Sequence, residues 1–88
     1  MEIKILKKKL LYSSTHRGCK EMDILLGSFV KEYLDNLSES ELSAYTEILE
    51  FSDAVLYKFF TRKRKFDTEK NAAMLEKITN HCYGKKIL

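Results

Sequence analysis

The sequence predicts an all-α fold, a compact bundle of five helices forming one domain over 1–88. Three observations carry this expectation. The 88 residues include no proline and only three glycines, and Lys, Glu and Leu are prominent, a composition that favours helix over strand. Apolar residues return at i, i+3, i+4 and i+7, the period of one helical face, most clearly over 22–37. Residues that start helices stand before the later periodic stretches, at Ser38, Ser52 and Asp67.

The first helix is expected over 3–12, with Ile3, Leu6 and Leu10 on one face. Ser13-Ser14-Thr15 should end it, because short hydroxyl side chains compete for backbone hydrogen bonds. The second, over 20–36, buries Met22, Leu25, Leu26, Phe29, Val30, Tyr33, Leu34 and Leu37. Gly27 and Ser28 weaken that helix and point to another helix packed closely against them. Ser38-Glu39-Ser40-Glu41 reads as a capping box opening the third helix over 39–50, with Leu42, Tyr45, Ile48 and Leu49 inward. Ser52-Asp53 caps a fourth over 53–61, carrying Val55, Leu56, Phe59 and Phe60. Arg62-Lys63-Arg64-Lys65 reads as a charged loop. Asp67 then caps a fifth helix over 68–82, with Met74, Leu75 and Ile78 inward and Gly84 as its stop. Short connections between such helices predict an antiparallel bundle, and no internal repeat is visible.

Size and charge limit the function. A chain this short buries roughly 60–65% of its extended surface, which leaves little room for an enclosed catalytic cavity. Apolar residues are 44% and charged residues 33%, a balance typical of soluble globular domains. The net charge of +3 is too small to imply a nucleic-acid partner by itself. Lys7-Lys8-Lys9 and Arg62-Lys63-Arg64-Lys65 keep a small basic nucleic-acid-binding protein as the alternative. Against it, Tyr57, Phe59, Phe60 and Phe66 near the second run fall at helical spacing and read as core. The apolar residues among 3–11 are too interrupted by lysine for a signal peptide or a membrane span. No transit peptide is recognised, so a bacterial cytoplasmic location is expected, or the mitochondrial matrix for a mature eukaryotic form. Cys19 and Cys82 make no CxxC pair and no disulfide framework, which fits a reducing compartment.

The most informative stretch is Arg17-Gly18-x-x-Glu21-x-Asp23, where the basic N-terminal pattern stops and the long amphipathic one begins. Gly18 can take a left-handed conformation or let a partner's backbone approach. Arg17 can fork onto a carboxylate or phosphate. Glu21 and Asp23 suit the positive end of a helix dipole. Two apart on a helix, they point in different directions and make no catalytic carboxylate pair. From residue types alone, the motif reads equally as a helix start, with Arg17 bridging to one of its acids, or as a grip on another molecule.

His16, Cys19, His81 and Cys82 are the possible metal ligands, yet adjacent His81-Cys82 is poor geometry for one ion and the paired spacing of a zinc module is missing. No metal is expected; the histidines read as surface residues beside a buried cysteine. A thiol enzyme built on Cys19 lacks a third member to orient His16, so no catalytic residue is assigned.

Beyond the motif, the chain carries Lys9-Leu10-Leu11-Tyr12-x-Ser14, Phe29-Val30-Lys31-Glu32-Tyr33-Leu34-x-x-Leu37-Ser38, Leu42-x-x-Tyr45-x-x-Ile48-Leu49-Glu50, Asp53 and Leu56-Tyr57-x-Phe59. With Arg17-Gly18-x-x-Glu21-x-Asp23, it resembles the small succinate dehydrogenase assembly factors, which promote covalent attachment of FAD to the flavoprotein subunit. The likeness runs over 9–78. It departs where the family often has further basic residues before Arg-Gly, here Thr15 and His16, and where many members carry Trp, here Phe59.

The resemblance implies a non-catalytic helper, monomeric when free, that holds no cofactor stably and acts on the FAD of its partner. It implies the succinate dehydrogenase flavoprotein subunit as that partner, with the fumarate reductase flavoprotein as a further candidate, and neither nucleic-acid binding nor membrane insertion. The bond it implies joins a partner histidine to the flavin 8α-methyl carbon, through a quinone methide with negative charge at the N1/C2 carbonyl end. A helper would contribute alignment and preorganised electrostatics. On this resemblance Arg17, Gly18, Glu21 and Asp23 are the flavoprotein-binding residues.

Overall fold

The computed structural model describes residues 2–61 and 71–87. The elements are α1 (Ile3–Thr15), α2 (Lys20–Tyr33), a single 3-10 turn (Leu34–Asn36), α3 (Glu39–Ile48), α4 (Asp53–Phe60) and α5 (Ala72–Gly84). The expected loop over 62–65 and the cap at Asp67 lie outside the described residues, as does Phe66.

The first helix runs past its expected end. Thr15 donates its hydroxyl back to the Leu11 carbonyl at 2.9 Å, and Ser14 meets the Tyr45 hydroxyl at 2.6 Å inside the core. Both hydroxyls are spent on a helix carbonyl and a tertiary partner, so neither competes for the backbone N–H groups that continue the turn.

α2 is the central element, with α1 packed on one side and α5 on another. Gly27 explains the first contact: a Cβ there would stand 3.1 Å from the Thr15 methyl, so the end of α1 presses on the glycine. The helix expected over 20–36 tightens into the 3-10 turn for its last three residues. In that winding residues three apart eclipse, which puts Leu34 and Leu37 on the same side, both buried.

α3 opens with the expected capping box: Glu41 N–H donates to Ser38 Oγ at 3.1 Å and Ser38 N–H donates to Glu41 Oε1 at 3.0 Å. The Ser38 backbone bond and then a Lys77 bond from α5 lower the Glu41 pKa. α4 is capped by Ser52 Oγ, which accepts from Val55 N–H at 3.3 Å. Phe29, Tyr45, Phe59 and Phe60 are fully enclosed, in one core with Leu10, Leu26, Leu42, Leu56 and Leu75 from the five helices.

The end of α5 differs from expectation in a specific way. Gly84 is its last helical residue but has no positive φ; Lys86 does, at 58°. Ile87 N–H reaches the Cys82 carbonyl at 2.9 Å and Lys86 N–H the Tyr83 carbonyl at 3.1 Å, the paired bonds of a Schellman stop. Ile87 packs on the core and pulls the chain back two residues beyond the glycine. Lys86→Gly is therefore expected to stabilise the fold by about 1 kcal/mol, read as a higher urea midpoint.

Two buried acids set the alkaline limit. Burial pushes the Cys82 thiol from 9.0 up to about 11 and raises the Tyr45 hydroxyl further still. Both are neutral in the fold, and the unfolded chain releases these protons first. The Cys82 contribution is therefore whole below pH 9 and is lost as pH rises through about 11, while that of Tyr45 is whole below pH 10 and is lost at higher pH still. Urea midpoints should fall across that interval, and Cys82→Ala should flatten the decline relative to its own neutral-pH value.

Candidate functional site

Between α1 and α2 the chain reverses in four residues, 16–19. Gly18 makes this possible with φ +86°, a left-handed conformation that costs any other residue strain. It is exposed, and nothing lies within 4 Å of where a Cβ would stand. Cys19 is extended, with φ −121° and ψ 116°, and leads into α2.

The motif's four residues divide in two. Asp23 and Arg17 face the protein. Asp23 Oδ1 accepts the Arg17 N–H at 2.8 Å, tying the turn to the helix that follows it. The Arg17 guanidinium crosses to the α3–α4 junction, donating to Asp53 Oδ1 at 2.5 Å, to the Leu49 carbonyl at 3.0 Å and to the Phe51 carbonyl at 2.7 Å. The cation thus caps the carbonyl end of α3 while pairing with the first residue of α4. Its side chain is 13% exposed and that of Asp53 29%. The anticipated bridge from Arg17 to a motif acid is made by its backbone alone; its side chain takes Asp53.

Gly18 and Glu21 face outward. A bond from its own backbone N–H, then one from the Cys19 thiol (Sγ–Oε2 3.4 Å), lower the Glu21 pKa and keep its exposed carboxylate charged. Beside it lie two open cavities. One of about 470 Å³ is bounded by Cys19, Glu21, Asp53, Tyr57 and Lys58. The other, of about 270 Å³, lies among Glu21, Ile24, Tyr57, Tyr83 and Ile87. Tyr57, expected in the core with Phe59 and Phe60, is instead 43% exposed and helps wall both cavities. Its place on the side of α4 away from the core face of Leu56, Phe59 and Phe60 was the available signal.

The other candidates are dispersed. His16 is exposed and stacks on Tyr12 with ring centroids 4.1 Å apart. His81, expected at the surface, is buried between α5 and α2: Nε2 lies 3.0 Å from Ser28 Oγ and Nδ1 3.3 Å from Glu32 Oε2. That is the close packing signalled by Ser28. Cys82 is buried behind it, its Sγ facing the Leu25 carbonyl at 3.8 Å. Of the N-terminal lysines, Lys7 turns to the Asp35 carbonyl at 3.3 Å, while Lys8 and Lys9 are exposed. The second basic run lies outside the described residues.

Fold and motif together define a small all-helical domain that presents a left-handed glycine turn and an exposed carboxylate at the start of its second helix. Residues 8–82 match the family described as "Flavinator of succinate dehydrogenase", and the chain belongs to that family. It is 37% identical over 81 residues to "Succinate dehydrogenase assembly factor 2, mitochondrial" of Dictyostelium discoideum, covering 92% of this chain and 57% of that protein. Against proteins of the same name it is 41% identical over 56 residues in Meyerozyma guilliermondii, 64% of this chain and 42% of the relative. In Caenorhabditis briggsae it is 49% identical over 43 residues, 49% of this chain and 35% of the relative. The chain spans about half the length of the curated relatives it matches. No solved structure matches it.

Proposed function

We propose that this chain is a non-catalytic assembly factor. It binds the succinate dehydrogenase flavoprotein subunit and promotes covalent attachment of FAD to it, by positioning rather than by direct chemistry. The observation that carries the reading is the exposed Gly18 turn, open for 4 Å around its Cα-substituent position, in a member of this family. A bare left-handed turn with a charged carboxylate beside it suits close approach of another backbone.

All four motif residues serve this surface, in two ways. Gly18 and Glu21 meet the partner, the first by backbone approach and the second by charge-assisted hydrogen bonds. Arg17 and Asp23 act as positioning residues that hold the turn in shape through Asp53, the end of α3 and the Arg17 N–H. FAD belongs to the partner, and its chemistry is completed by the partner's own histidine. The helper contributes by holding the partner's groups in alignment, which removes an orientational cost from the reaction. It works as a monomer in the compartment where the flavoprotein folds.

The test is in-gel fluorescence of covalent flavin in the succinate dehydrogenase flavoprotein, made with and without this protein. Covalent flavin is expected to fall when the protein is absent, and an unchanged signal would overturn the reading. The same assay on the fumarate reductase flavoprotein decides whether it is a second client.

A further inference from the structure

The groove beside the motif suggests what the partner must bring. Glu21 and Tyr57 border both of its cavities, so the exposed carboxylate stands at the junction between them. The smaller cavity is walled by Ile24, Tyr57 and Tyr83, which are 50%, 43% and 41% exposed. These are half of the six large hydrophobic residues exposed among the described residues, and they come from three different helices, α2, α4 and α5. Such a convergence of aromatic and aliphatic surface around a cleft is the composition of an interface centre rather than of a solvated face.

The outer side of α1 provides a contrast. Ile5, Leu11 and Tyr12 are also exposed, but they alternate with the exposed Lys4, Lys8 and Lys9 along one helix. None of them borders either cavity of the groove. The groove also continues from the turn, because Cys19, next to Gly18, borders the larger cavity. A chain laid across Gly18 would run directly into it.

We propose that the groove takes a segment of the flavoprotein subunit that presents a lysine or arginine to Glu21 and seats a neighbouring apolar side chain among Ile24, Tyr57 and Tyr83. Lys58 borders the larger cavity, but Glu21 is the charged residue bordering the smaller one, so charge complementarity there selects a cation. The apolar walls select an aliphatic or aromatic anchor beside that cation. The cation steers and orients, and the anchor supplies most of the affinity. This inference rests on the assembly-factor reading and extends its surface from the motif to α4 and α5.

The experiment is titration calorimetry of the full chain against the FAD-loaded, not yet covalently modified flavoprotein subunit. Ile24→Asp and Tyr57→Ala, each with unchanged helical circular dichroism, are expected to weaken binding about tenfold or more. Glu21→Gln should weaken it and reduce its dependence on salt. Ile5→Asp on α1 should bind as the parent does. If Ile24→Asp and Tyr57→Ala bind like the parent while Gly18→Arg does not, the groove inference falls and the assembly-factor reading stands. If Ile5→Asp weakens binding as much as Ile24→Asp, the groove loses its claim to be the anchor. If the parent protein shows no binding to the flavoprotein, the assembly-factor reading itself falls.

Discussion

Gly18→Arg is expected to abolish association with the succinate dehydrogenase flavoprotein while leaving the bundle folded. The two consequences have separate causes. A side chain at φ +86° costs about 1–2 kcal/mol of backbone strain. A domain with about 5–15 kcal/mol of stability survives that, with its melting point lowered by about 4–8 °C per kcal/mol. Nothing lies within 4 Å of the new Cβ, so no internal clash adds to the strain. What the arginine obstructs is the outside of the turn. Gly18→Asn separates the effects, because asparagine tolerates the left-handed conformation far better than most residues. Its melting point should stay within a few degrees of the parent, yet its co-purification with the flavoprotein should still be reduced. Normal binding by a folded Gly18→Arg would remove the turn from the contact surface.

Arg17→Ala should act mainly on stability. It deletes three charge-assisted bonds at once, to Asp53 and to the Leu49 and Phe51 carbonyls, in a site where the guanidinium is 13% exposed. It leaves Asp53 without its cation and the end of α3 without its cap. Because Asp53 remains partly exposed, water recovers some of the loss, and a cost of about 3 kcal/mol is expected. That corresponds to a melting point lower by roughly 15 °C. Arg17→Lys should recover only a minor part, since one ammonium cannot reach three acceptors arranged for a planar fork. Asp53→Asn, which keeps an acceptor oxygen, should cost less than Arg17→Ala. An Arg17→Ala variant that melts with the parent but no longer binds the flavoprotein would show that the arginine works on the partner instead.

Arg17-Gly18-x-x-Glu21-x-Asp23 looks like one cluster of gripping groups. In the fold, two members hold the turn and two are left facing out. Charge-reversal at Glu21 and at Asp23 should therefore differ in kind, the first a loss of binding and the second a loss of stability.

Much of the architecture was legible. The periodicity over 22–37 placed α2, the capping box at Ser38 and Glu41 placed the start of α3, and Ser52 placed that of α4. Each rests on residues a turn or two apart, and such interactions are available to the chain before it has a tertiary fold. The boundaries that moved did so for non-local reasons. α1 gained its last turn because Ser14 found Tyr45, 31 positions away. The left-handed residue that closes the end of α5 is Lys86 rather than Gly84, because Ile87 is drawn back onto the core. His81 is buried rather than at the surface because its partners, Ser28 and Glu32, sit on another helix.

Sequence alone dictated the helical periods, the caps at Ser38 and Ser52 and the break between α1 and α2, because helix period and capping chemistry are local properties of the backbone. Only the packed structure decided which motif charges the protein keeps for itself. Asp53 lies 36 residues from Arg17, and no spacing rule connects them until α1, α2 and α4 are assembled. Once that pair forms, Arg17 is committed to the fold, and Glu21 is left at the mouth of a groove that three helices build together.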